Sequence, residues 1–172
     1  MTVGFLILLT SFLATAFAGG LACWLYVNRR EALPYLSLAL LSGLVSLVHA
    51  ANGYGFLDDE HALLWRRLAL AMELCLPAAL LYAGLRFLPQ PGHPEWHVRL
   101  IGLLGLLLAG VTMTDHILVL IPLQGGGTAI MLGPWGPVPY VFVVIAMAIG
   151  IAQVEAVLRS SNELTRYRLN SS

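Results

Sequence analysis

Four ionisable side chains, His49, Glu73, Asp115 and His116, stand inside runs of sequence that are otherwise apolar. Imidazole and carboxylate groups can move protons, ligate metals or hold a small polar ligand. Leaving them unpaired in hydrocarbon costs roughly several kcal/mol each, which makes such residues functional candidates by default. Arg66 lies seven residues before Glu73, on the same helical face, and is an ion-pair candidate for it. His49 is a hydrogen-bonding candidate for Asp115. Three uses of this polar layer are open: a structural knot, a pocket sensing a small ligand, a proton or a metal, and axial ligation of a haem by His49 and His116 in a bundle core. The last would make the chain a small haem- or quinone-associated subunit. No tight metal-ligand spacing such as His-Glu-x-x-His is present, so the metal stays open and no cofactor is predicted.

The elements that must position these residues are set by composition. The 172 residues are 59% apolar and only 10% charged, with a mean hydropathy of +0.83. Soluble globular chains carry about 25% charge, so this one belongs in a membrane. Val3 to Val27 is uncharged, Ala32 to Leu57 carries only His49, and three further apolar stretches lie at Leu68 to Leu85, Leu100 to Leu123 and Val138 to Leu158. The expected architecture is an all-α bundle of five transmembrane helices, over about 3–27, 32–56, 62–87, 98–121 and 137–160, forming one domain of residues 1–172. The first run is too long for a signal peptide and has no basic segment before it.

Orientation rests on the arginines, which are all nine of the basic residues. With the N-terminus outside, Arg29, Arg30, Arg86, Arg99, Arg159, Arg166 and Arg168 fall on the inner side and only Arg66 and Arg67 on the outer, as the positive-inside bias requires. The C-terminus is then cytoplasmic, and the location expected is a bacterial inner membrane. At about 1.5 Å per helical residue, His49 and Asp115 each rise about 24 Å from the inner surface, while Glu73 lies about 9 Å below the outer one. His49, Glu73 and the Asp115–His116 pair therefore share one outer layer.

The outer loop, 122–136 and on to Pro139, holds three consecutive glycines and four prolines, which exclude a regular helix, beside Ile130, Met131, Leu132 and Trp135, which are too apolar for water. It reads as an interfacial loop anchored by Trp135, or as a lid over a pocket. The chemistry of soluble enzymes is missing: the Gly125–Gly127 run precedes no lysine, and there is no nucleophile elbow or catalytic carboxylate pair. Arginines without a basic block argue against nucleic acid. Cys23 and Cys75 both lie in apolar runs and read as small packed residues, not as a disulfide.

The chain ends on VEAVLRSSNELTRYRLN, residues 154–170, where Glu155 and Arg159 stand four apart in the favourable helical order and the apolar surface runs out. This segment, with GPVPYVFVVIAMAIGIAQ before it and WRRLALAMELCLPAALLYAGLRF at 65–87, resembles the multi-pass membrane domain at the front of bacterial sensor histidine kinases of the PEP-CTERM-system type. The resemblance implies a sensory, signal-transmitting module that is not itself catalytic. It also implies a cytoplasmic coupling segment in which Glu155, Arg159, Arg166 and Tyr167 stand. Such domains usually have more than five helices, and neither a phosphoacceptor His-Glu box nor an ATP-binding box occurs in these residues, so the chain is expected to be a fragment of such a kinase or a stand-alone relative. The partners expected are the lipid bilayer, a second copy of the chain, and a downstream cytoplasmic kinase domain or partner protein.

Overall fold

The computed structural model describes residues 2–28, 32–58, 60–87, 96–123 and 128–170, the side chains of 2–5, 32–33, 86–87, 154, 156–158 and 160–170 excepted. The chain is mostly helical, in the order α1 Thr2–Asn28, α2 Ala32–Leu57, α3 Ala62–Glu73, α4 Leu76–Phe87, α5 Trp96–Thr112, strands β1 Leu118–Pro122 and β2 Thr128–Leu132, and α6 Pro137–Asn170. Among the described residues, three stretches are long and apolar enough to cross a membrane: Leu6–Asn28, Pro34–Leu57 and Ala62–Leu85. Two further apolar stretches, Trp96–Thr112 and Pro137–Gln153, are shorter.

Three expectations need correction. The chain is not all helical, because β1 and β2 pair antiparallel, with Leu118 opposite Leu132 and Pro122 opposite Thr128. The helix expected over 98–121 stops at Thr112. There the Thr112 and Thr114 hydroxyls donate to the carbonyls of Ala109 and Val111, and the Met113 and Thr114 amides turn back three residues, ending the regular ladder. The segment beyond this turn alternates β-branched residues (Ile117, Val119, Ile121) and forms β1, and Thr128–Leu132 within the loop expected over 122–136 is the second arm of a hairpin. Third, the helix expected over 62–87 is two helices. Pro77 has no amide to offer the Glu73 carbonyl, and the Cys75 amide bonds three residues back to Met72, at 3.1 Å, instead of four.

That break is where α5 comes in. A methyl group at Gly105 would stand 2.5 Å from the Leu74 carbonyl oxygen, so only glycine admits the approach of the two backbones. Below it, Leu81, Ile101 and Ala146 form a core joining α4, α5 and α6, with Phe142 against it. Above it, Leu70, Ile117 and Leu118 form a second core that seats the hairpin on α3. α1 packs chiefly on α2, through small residues: Gly19 faces Ser42, and the Ser46 hydroxyl donates to Thr15 Oγ1 at 2.9 Å. In lipid, where apolar burial drives nothing between helices, such close packing and hydroxyl bonding hold neighbours together.

Candidate functional site

The end of the bundle that carries the α2–α3 connection and the hairpin brings together Asn52, Asp58, His61, Arg66, Arg67 and Asp115. α2 ends there with Asn52 and Tyr54, α3 begins there, and Ile130 of β2 faces a cavity that both line. Asp58 ties the connection together: the Trp65 indole N–H donates to it at 3.1 Å, and His61 bonds it through both its backbone amide and its ring Nδ1. Tyr54 stacks on Trp65 with ring centroids 5.1 Å apart. The Trp65 hydrogen bond, and next to it the bonds from His61, hold the Asp58 carboxyl below its ordinary value of 3.8.

Adjacent arginines on α3 do different work. Arg67 fastens the hairpin: its Nη1 donates to the Met113 carbonyl at 3.0 Å, and its Nη2 donates to the Leu118 carbonyl at 2.8 Å and to the Asp115 carboxylate. Its Nε is buried without an acceptor among the described residues. Arg66 turns the other way. Its Nη1 donates to Asn52 Oδ1 at 2.6 Å and stands 3.9 Å from Glu73 Oε1, a loose ion pair with both side chains part-exposed. Asn52 is itself held by donating to the Val48 carbonyl at 3.1 Å. Beside Arg66 and Asn52 opens a cavity of about 250 Å³, walled by Ala51, Gly55, Phe56 and Ala62 and roofed by Ile130 of β2.

The structure therefore brings Arg66 and Glu73 together but does not gather the rest of the expected layer. Asp115 lies in the turn after α5, largely exposed, with Arg67 as its partner. The depth count that placed it in a spanning helix assumed a helix that has already ended. His116 is exposed in the same turn; its carbonyl accepts the Trp135 amide at 3.0 Å. His49 instead lines a separate slot of about 230 Å³ between α1 and α2, with Leu8, Phe12, Gly53 and Tyr54. Among the described residues no hydrogen bond or ion pair joins His49 to Asp115, and no group of three His, Cys, Asp or Glu is placed to hold a metal. For the haem alternative, His116 offers no ligand from a helix in the bundle core.

Asn52, Arg67, Asp58 and Trp65 were not among the expected site residues. The double arginine at 66–67, next to an acidic connection, was the available signal. At the far end, Arg159 Nε donates to Glu155 Oε1 at 3.1 Å on exposed helix. The backbone of α6 continues past Arg166 and Tyr167, whose side chains lie outside the described residues. Comparison of the chain with protein-family models, with curated proteins and with solved structures found no match.

Proposed function

We propose that the chain is a membrane sensory module that passes a change at its outer, hairpin-bearing end to a cytoplasmic tail, as the input domain of a histidine-kinase-like receptor. The observation that carries this reading is α6. It begins directly after the hairpin, where the Gly133 amide bonds the Ile117 carbonyl at 2.8 Å, and runs 34 residues without a break into the arginine-bearing tail. At 1.5 Å per residue that is about 51 Å, longer than the roughly 30 Å of bilayer hydrocarbon. Arg67 clamps the hairpin to α3, so whatever moves α3 against α5 moves the root of α6.

In this reading α5 and the first half of α6 cross the bilayer beside the three longer spans, with the N-terminus outside and the C-terminus in the cytoplasm of a bacterium. Arg159, Arg166 and Arg168 then meet anionic headgroups, and a kinase domain or partner protein lies beyond them, with pairing of two copies as in dimeric receptors. Sequence resemblance supports the kinase assignment, and the seven-to-two arginine distribution supports the orientation.

The test places nitroxides through Asn28→Cys and Ser161→Cys in a Cys23→Ser, Cys75→Ser background and measures the distance between them in nanodiscs. Arg67→Gln, which unclamps the hairpin, is expected to shift that distance on the order of 1–2 Å, the size of helix displacements in signalling transitions. An unchanged distribution would overturn the reading. Alkaline phosphatase fused after Ser172 should be inactive; activity would overturn the orientation.

A further inference from the structure

The cavity beside Arg66 has a consistent chemistry of its own. One end is polar: a guanidinium and an amide, both fixed. Asn52 Oδ1 holds Arg66 Nη1, and the Asn52 amide is anchored on Val48, so neither group is free to swing away. Among the described residues, Arg66 Nε and Nη2 have no acceptor in the protein, leaving one side of the guanidinium fork unused. Glu73 offsets the charge only weakly, at 3.9 Å from Nη1 and part-exposed. The remaining walls, Ala51, Gly55, Phe56 and Ile130, carry no side-chain donor or acceptor.

A guanidinium edge with two parallel N–H groups matches the two oxygens of a carboxylate or phosphate. A volume of about 250 Å³ takes such a head and the first carbons of a chain. It lies just below the 300–1,000 Å³ of sites that enclose whole drug-sized ligands, so a longer chain must leave through the open side. We propose that this cavity binds a single-chain amphiphile with an anionic carboxylate or phosphate head, the head on Arg66 Nε and Nη2 and the chain along Phe56 beneath Ile130. The proposal rests on the sensory reading, for which it supplies the ligand class. Ile130 lies in the strand that leads to α6, and Arg66 adjoins the residue that clamps the hairpin, so an occupied cavity changes the seat of the hairpin. Glu73 competes with the ligand head for the same guanidinium.

Binding is measured by calorimetry and by thermal shift on the full chain in neutral detergent, with decanoate, octyl phosphate, octanol and inorganic phosphate as probes. Decanoate or octyl phosphate is expected to bind and raise the melting temperature, while octanol and inorganic phosphate are not. Arg66→Gln and Arg66→Lys should each weaken binding at least tenfold, and Ala62→Leu, which fills the cavity without touching the charge, should abolish it. Glu73→Gln should tighten binding several-fold by removing the competing carboxylate, an effect that a purely structural Arg66–Glu73 pair does not produce. Octanol binding as well as octyl phosphate, binding indifferent to Arg66→Gln, or weaker binding in Glu73→Gln would each overturn the site. Nanodiscs with phosphatidic acid against phosphatidylcholine alone separate a membrane lipid from a soluble amphiphile: if the lipid is the source, phosphatidic acid occupies the cavity and decanoate no longer shifts the melting temperature. Binding with an unresponsive Asn28–Ser161 distance keeps the site and removes the sensory reading; an Arg67→Gln shift of that distance without binding keeps the sensory reading and removes the site.

Discussion

Gly105→Ala is the sharpest test of how the hairpin is held, because α5 supplies its own controls. A methyl at Gly105 would lie 2.5 Å from the Leu74 carbonyl oxygen, and one of the two backbones must withdraw by about half an ångström to admit it. At Gly110 the same methyl meets nothing within 4 Å, and at Gly102 it meets Ala78 Cβ at an ordinary 3.6 Å. Alanine for glycine within a helix contributes about 0.8–1.0 kcal/mol at all three positions. That common term cancels in the comparison, leaving the steric term alone: about 1–3 kcal/mol for overpacking two backbones that cannot rotate away. Gly110→Ala and Gly102→Ala should therefore be neutral or slightly stabilising. Gly105→Ala should fall below Gly110→Ala by that 1–3 kcal/mol, or about 2–12 °C for a chain of this size. Melting in dodecylmaltoside followed by circular dichroism reads the difference directly. Equal stability of the Gly105 and Gly110 variants would mean that α5 does not lie against the α3–α4 break, and the placement of Asp115 on Arg67 would fall with it.

The same geometry sets other outcomes. Glu73→Ala should destabilise the protein by about 0.2–1 kcal/mol, well short of the cost of breaking a buried pair because both partners are part-exposed and 3.9 Å apart, while Glu60→Ala on the exposed connection should cost almost nothing; equal melting temperatures would refute this. Gly133→Ala would place a methyl 2.4 Å from the His116 carbonyl oxygen and should unseat the hairpin, exposing residues 118–132 to limited proteolysis; a protease-resistant variant would contradict the close approach. Because Asp58 titrates below its ordinary 3.8, its contribution is present above that value and is lost as pH falls through the lower folded one. With Trp24, Trp96 and Trp135 replaced by Phe, the emission of Trp65 should change only in that acid window. In Asp58→Asn the transition should disappear, and its persistence would assign it to another group.

Legibility varied with how local each feature is. α1 and α2 could be read because Val3 to Val27 and Ala32 to Leu57 have almost no charge to interrupt them. The break at residues 74–75 was harder, since proline is tolerated in membrane helices and only the neighbours decide whether the ladder bends or stops. Residues 113–121 misled because apolarity resumes at Ile117 directly after Thr114, Asp115 and His116. Their alternation of Ile117, Val119 and Ile121 pointed to strand, but the signal is short and its partner lies across the glycine run. Arg66 and Glu73 share one helix, so their spacing was visible in the sequence. The bond of Arg66 to Asn52 spans 14 residues and depends on how α3 folds back on α2; that of Arg67 to Asp115 spans 48 and depends on where α5 ends, which no local pattern announces.

α1 touches the rest of the protein almost wholly through one narrow seam on α2, and nearly all of its remaining surface is apolar and exposed. Its Leu6–Asn28 stretch of 23 residues measures about 35 Å, a few ångströms more than a typical hydrocarbon core of about 30 Å. A helix in that position relieves hydrophobic mismatch by tilting, and the tilt grows as the bilayer thins. Since Thr15 is hydrogen-bonded to Ser46 and Gly19 sits against Ser42, α1 cannot tilt without leaning on α2, the helix that carries Asn52 to Arg66. In a bilayer, a change of thickness would thus bear on the polar end of the bundle through a contact of a few small residues.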